Sequence, residues 1–420
     1  MANQKNIFVY AHWREFNEPV LMGNLKVMPS RGKEVFVFEY TQDWLKKGFS
    51  QILDPNLQLY SGPQYLPEEK NNFGIFLDSS PDRWGKLLMK RREAAFARKE
   101  GRRENTLLES DFLLGVFDNH RMGALRFKEH DETGPFLNDN EKMAAPPWTS
   151  LRKLEDASLK FEEDNIDDPD YLEWVSILIA PGSSLGGARP KASVIDPDGN
   201  LWIAKFPSLN DEKNVGAWEM VVNELAIKAG LDVAEGRIQQ FNNKYHTYLT
   251  KRFDRTPKGE RIHFASAMTM LGYTDGKASH EEGVSYLELV EFLTRFGANI
   301  NDDLKELWRR IVFNICVKNT DDHLRNHGFL LTDAGWRLSP AYDLNPIEYG
   351  TGLNLNISET DNSLDLDLAL SVAKHFRLKN DHANQIIAEV KNSVSYWRET
   401  AKKYSLSKQE QDLMANAFII

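Results

Sequence analysis

Residues 304–343 read LKELWRRIVFNICVKNTDDHLRNHGFLLTDAGWRLSPAYD. Leu304, Leu307, Trp308, Ile311, Val312 and Ile315 repeat at steps of three and four, the stripe of a helix that buries one face. Asp302 and Asp303 fall in its first turn, where carboxylates suit the positive end of the helix dipole. The stripe gives way to Asn319-Thr320-Asp321-Asp322-His323-Leu324-Arg325-Asn326, which carries no helical period. Two strand candidates, His327–Thr332 and Trp336–Ser339, then flank Asp333-Ala334-Gly335 as a small hairpin. A second carboxylate, Asp343, stands just beyond it. The order is therefore long helix, polar loop, hairpin, acidic residue.

Phosphoryl transfer needs few parts: a cradle and a cation for the phosphates, metals to bridge them, and a carboxylate to orient the attacking hydroxyl. Asp321 and Asn326 stand five apart, the Asp-x4-Asn spacing of a kinase catalytic loop. There the Asp accepts the hydroxyl proton and the Asn oxygen binds Mg²⁺. A hairpin can return Asp343 beside Asn326 as a second metal ligand. Alone, the same residues also read as a capped turn, with His323 a satisfied polar side chain.

Working upstream, residues 181–191 are PGSSLGGARPK, a small-residue loop entering a strand. Adjacent glycines let backbone N–H groups approach phosphates closely. Ala188 follows Gly187, so this is not a Walker A loop, and an ordinary surface turn is the competing reading. KASVIDPDGNLWIAKF is an expected hairpin around Asp-Pro-Asp-Gly. Lys205 lies in its apolar second strand and needs a partner there, or else is an edge-strand lysine that deters aggregation. In the following helix Trp218, Val221, Val222, Leu225, Ala226 and Ala229 form the stripe, and Gly230 is its expected stop. Glu219 and Glu224 point about 140° apart on it, so only one can face Lys205. HTYLTKRFDR reads as another strand.

The first third is expected to be β-rich, with strands at Ile7–Val9, Val20–Val27 and Glu34–Tyr40, then a helix over Asp82–Arg98 capped by Ser80. Residues 130–170 read as a connecting region, and several amphipathic helices follow from 365. Lys86–Arg103 is basic, a solvated helix face or a phosphate-contacting patch. The net charge of −10 over 420 residues argues against nucleic-acid binding across the whole surface. No apolar run is long enough to cross a bilayer, and the N-terminus does not read as a secretory signal. Cys316 is the only cysteine, which excludes an internal disulfide or a cysteine zinc site. It reads as a core residue, and the chain as cytoplasmic. A β-rich lobe before a helical lobe suits a nucleotide held between them.

Taken in order, GSSLGGARPKA, the strand Lys205, YLTKRFDR, NTDDHLRN and LSPAYD resemble the HipA-type serine/threonine kinases, the toxin halves of HipBA toxin–antitoxin pairs. LMGNLKV, FVFEYTQDWL and FLDSSPDRWGKLLMKRR resemble that family's N-terminal subdomain, so the resemblance covers nearly the whole chain. It implies an α+β, two-lobed protein-kinase-like fold with a β-rich N-terminal lobe and a mostly helical C-terminal lobe. It divides the chain into a HipA-type N-terminal subdomain (1–150), the ATP-binding part of the N-lobe (151–260) and a helical C-terminal kinase lobe (261–420). Asp321 then resembles the catalytic Asp, and Asn326 and Asp343 the Mg²⁺ ligands. Lys205 resembles the phosphate-binding lysine, and Glu219 aligns better than Glu224 with the helix Glu. Lys251 and Phe253 resemble the adenine hinge, with Asp254 beside the ribose. Leu185, Gly186, Gly187, Ala188, Lys191, His323 and Tyr342 join the ATP-contacting set. Ser184 matches a loop serine that some members autophosphorylate, with Ser183 adjacent to it; a phosphate there would repel ATP. Arg189-Pro190 stands where other members can carry Gln-Glu.

The implied activity is serine/threonine protein phosphorylation from MgATP, with an aminoacyl-tRNA synthetase as one target class. The implied partner is a HipB-like helix-turn-helix antitoxin, through which the chain would reach DNA and dimerise, with no membrane association. Two other readings compete: a small-molecule kinase on the same scaffold, and a nucleotide-binding co-repressor without turnover.

Overall fold

The computed structural model of the protein describes residues 4–30, 32–129, 132–137, 145–163, 168, 170–179, 187 and 189–420. The chain forms two compact units, Met1–Leu209 with Asp254–Ala265, and Asn210–Phe253 with Ser266–Ile420. Among the described residues, no helix is long and apolar enough to cross a membrane.

In the first unit a five-stranded antiparallel sheet runs in the order Gln64–Tyr65, Lys33–Tyr40, Val20–Ser30, Lys5–Ala11, Leu125–Glu129. Period-two alternation places Ile7, Leu25 and Phe38 in one cross-strand row, all buried. Phe73 and Phe76 close over Phe38, and Phe76 also meets Phe127. Each fully buried ring of this kind stabilises the sheet by about 1.5–3 kcal/mol. Gly23 makes that packing possible: a Cβ there would lie 2.4 Å from both the Phe38 ring and the Glu39 carbonyl oxygen. The three expected strands are all present and run longer than their apolar cores, because polar residues at the ends still pair in the ladder.

The expected basic helix forms at Arg83–Lys99, with a different cap. Asp82 Oδ1 accepts from Gly85 N at 2.8 Å, while the Ser80 hydroxyl donates to the Phe76 carbonyl of the preceding turn. Residues expected to be a connection contain the helix Leu151–Glu162. Leu151, Leu154, Ala157 and Phe161 are its buried stripe. That stripe is short and interleaved with charge, so it disappears in any reading taken over the longer acidic stretch. The hairpin Lys191–Ile195 with Leu201–Lys205 forms as expected. Asp196 organises its turn, accepting from Asp198 N, Asn200 N and Trp202 Nε1.

In the second unit the helix Val215–Lys228 is capped by Asn214 and stopped at Gly230, whose φ of +76° suits glycine. A hairpin, Gly236–Gln239 with Thr247–Lys251, comes next. The long helix Ile300–Cys316 forms the buried axis of this unit. Its Trp308 is fully buried and donates to the Ala369 carbonyl. The chain ends in the helices Leu366–Val372, Asn380–Ser395, Trp397–Lys403 and Lys408–Leu413. Burial pushes the Cys316 thiol up to about 12, so it stays an uncharged core residue.

Candidate functional site

The Ile300–Cys316 helix does not simply fray into the polar loop. Lys318 takes a positive φ of 45°, and Asn319 N then returns to the Asn314 carbonyl at 2.9 Å. The loop is organised around Asp322, 2% exposed. Its Oδ2 accepts from Tyr286 Oη at 2.6 Å, His327 Nε2 at 2.7 Å and Asn314 Nδ2 at 2.8 Å. Burial pushes this carboxyl up, but His327 and Tyr286 outweigh it and hold the group below the usual carboxylate range. An ionised carboxylate only accepts, so His327 carries its proton on Nε2. Helix Tyr286–Phe296, the long helix and both ends of the loop are thus tied to one oxygen atom.

Asp322 separates the two residues of the Asp-x4-Asn spacing. Asp321 is exposed, and its carbonyl accepts from Asn326 Nδ2 at 3.1 Å and from His323 N at 2.9 Å. The loop therefore closes on itself with the Asp321 side chain outward. Asn326 is buried, and its Oδ1 has no hydrogen-bond partner among the described residues. A buried amide oxygen without a donor is costly unless a ligand completes it.

Asp343 arrives on the far side of the hairpin Gly328–Thr332 with Gly335–Leu338. Tyr342 Oη donates to the Arg325 carbonyl at 2.6 Å, so Asp343 and Asn326 are each the chain neighbour of one end of this bond. Asp343 has φ +59°, a left-handed backbone that Asp tolerates better than most residues. Its Oδ1 accepts from Asn345 Nδ2 at 3.0 Å, and Asn345 N donates to Asn319 Oδ1 at 3.2 Å. Asn319 in turn donates to Asn314 Oδ1. One polar chain runs from Asp322 to Asp343.

These residues fit a divalent cation in kind. Among the described residues no group of three His, Cys, Asp or Glu converges. An amide oxygen and a single carboxylate match the sparse protein ligation of Mg²⁺, which is completed by water and phosphate oxygens.

Glu219 is buried, and together with Asp343 it contributes to the field on Tyr248. Burial first, and then those two charges, push the Tyr248 phenol well above its ordinary value. Glu224 faces elsewhere, accepting from Lys403 Nζ and Tyr404 Oη at 2.7 Å each, with Lys228 at 3.1 Å. Partial burial raises its carboxyl, but these partners outweigh it and hold the group at about 2, below the usual 4.5. A depressed folded pKa stabilises above the unfolded value and is lost as pH falls through the folded one. Glu224→Gln is therefore expected to flatten the loss of stability between about pH 4.5 and pH 2, checked by urea midpoints at stepped pH.

Phe253 packs against Tyr342, ring centroids 5.3 Å apart, and Lys251 N donates to the Glu235 carbonyl. Asp254 belongs to the first unit, where it is fully buried and accepts from Gly123 N and Arg255 Nη1. Lys205 also lies in the first unit, opposite Lys191 in the hairpin. Lys191 is buried, its amine 2.7 Å from Asp82 and 3.2 Å from the Gly187 carbonyl. Ser183, Ser184, Leu185, Gly186 and Ala188 lie outside the described residues. Of the basic stretch, Lys86 pairs with Glu109 and Arg102 with Glu93 and Glu100.

The linear pattern marks Asp322 only as a turn cap and does not single out Tyr286, Asn314, Asn319, His327 or Asn345. The available signal is polarity in a buried stripe: Asn314 sits on the long helix between Phe313 and Ile315, where an unpartnered amide would be costly.

The family model described as HipA-like C-terminal domain matches residues 183–397 of this chain. A putative kinase, Y4mE, of Sinorhizobium fredii is 29% identical over 181 residues, 38% of this chain and 41% of that protein. The serine/threonine-protein kinase toxin HipA of Shewanella oneidensis is 24% identical over 337 residues, 74% of this chain and 70% of that protein. The first curated relatives are thus matched over about half of their length or less. The structure of the Shewanella oneidensis MR-1 complex of HipA, HipB and operator DNA superimposes with a TM-score of 0.64 at 19% identity, covering 98% of this chain and 94% of the other. That likeness assigns the fold, a HipA-like α+β kinase fold.

Proposed function

The chain belongs to the HipA family of kinases, and from that premise we propose that it transfers the γ-phosphoryl group of ATP to a serine or threonine hydroxyl of a protein. The observation that carries the reading is the polar chain that links buried Asp322 to half-buried Asp343, together with an Asn326 Oδ1 that has no hydrogen-bond partner among the described residues. Asp321, exposed beside it, would orient the acceptor hydroxyl and take its proton. Asn326 and Asp343 would hold Mg²⁺, which when bound screens the charge of the phosphate oxygens. On the resemblance alone, Lys205 would be the phosphate-binding cation and Glu219 the family's helix carboxylate.

The same proposal includes modification of Ser184 or Ser183 by the chain itself, and a toxin role against an aminoacyl-tRNA synthetase or a similar target. Because the solved neighbour was captured with HipB and operator DNA, we extend it to a HipB-like antitoxin as the route to DNA. The test is intact mass after incubation with MgATP, alone and with a lysate. Added phosphate on this chain or on lysate proteins supports the proposal. Turnover confined to a metabolite panel favours small-molecule phosphorylation, and MgATP binding without turnover favours a co-repressor. Growth arrest on expression, relieved by Asp321→Gln, separates a toxin from a metabolic kinase.

A further inference from the structure

Tyr349 is the most exposed of the large hydrophobic side chains among the described residues, at 76%. A singly exposed aromatic is ordinary on a protein surface. The mounting of this one is not. Ile347 N donates to the Lys318 carbonyl at 3.1 Å, and Asn345 N to Asn319 Oδ1 at 3.2 Å. Glu348 is paired with Lys213. Gly350 lies so close to the loop that a Cβ would sit 2.4 Å from Thr320 Cγ2. Residues 345–350 are thus fastened to the chain immediately before Asp321, while the ring between the last two fastenings is left in water. A tyrosine has few rotors to freeze, so a ring carried on a fastened backbone gains contact energy at low entropic cost when a partner covers it.

We propose that Tyr349 is the substrate shelf of this kinase: it packs against an aliphatic or aromatic side chain flanking the acceptor serine or threonine in an extended polypeptide. The inference rests on Asp321 as the catalytic residue and narrows the acceptor to a protein segment. A ring this open does not enclose a metabolite; it suits a chain laid across it.

The test uses the full chain and an array of serine- and threonine-containing peptides with varied flanking residues. Wild type is expected to prefer an apolar flank. Tyr349→Ala should raise KM for the preferred peptide roughly tenfold, with kcat and the KM for MgATP held, and Tyr349→Phe should restore it. An unchanged peptide KM in Tyr349→Ala overturns the inference. So does an array that wild type leaves unlabelled while Asp321-dependent ATP turnover persists, a result that spares the kinase reading. Loss of any difference in ATP turnover between wild type and Asp321→Gln removes the kinase reading, and this inference with it.

Discussion

Asp321→Gln is expected to lower γ-phosphate transfer roughly a thousandfold, the usual worth of a positioned general base. That is about 4 kcal/mol of lost transition-state stabilisation. The side chain is exposed, and the two hydrogen bonds that close the loop, from Asn326 Nδ2 and His323 N, go to the Asp321 carbonyl. A glutamine keeps that carbonyl. The melting temperature should therefore hold within a degree or two, since substitutions away from buried networks usually cost less than about 0.5 kcal/mol. Single-turnover transfer from labelled ATP, read beside a thermal melt, checks both halves. Equal transfer in variant and wild type would remove Asp321 from the mechanism.

The neighbouring carboxylate should behave in the opposite way. Asp322→Ala is expected to cost about 3–5 kcal/mol of stability, the range for breaking a buried, hydrogen-bonded charge. Three donors, from Tyr286, Asn314 and His327, would lose their common acceptor in a site closed to water. Asp322→Asn keeps one acceptor oxygen and should cost distinctly less. Because the Asp322 carboxyl is held low in the folded state, its contribution is present above the ordinary carboxylate pKa and disappears as pH falls below it. Urea midpoints for the three proteins at neutral pH, and again in acid, test this. Two adjacent aspartates would then separate into one that acts and one that holds. If Asp322→Ala melts like wild type, the hub has no structural weight.

The Asp321 and Asp322 pair shows how far the linear pattern reaches. The Asp-x4-Asn spacing singles out Asp321 and Asn326 because a short step of chain fixes it. Nothing in that spacing says which of two consecutive aspartates turns inward. The choice depends on Tyr286, 36 residues away, and on Asn314 of the preceding helix. The same holds for Glu219 and Glu224: helical geometry separates their directions, but it takes Lys403 and Tyr404 to engage Glu224.

The chain by itself determined the three first strands, the helices at 83–99, 215–228 and 300–316, and the two hairpins at 191–205 and 328–338, because apolar period and turn chemistry act over a few neighbouring residues. It also carried the block order that marks the HipA family. Only the tertiary structure decided that Asp82 caps the basic helix while pairing with Lys191, that residues 254–265 belong with the first unit, and that Tyr349 is mounted beside the Asp321 loop. Those outcomes depend on contacts between residues far apart in the chain, where burial and unpaired donors set the energy and no local period records them.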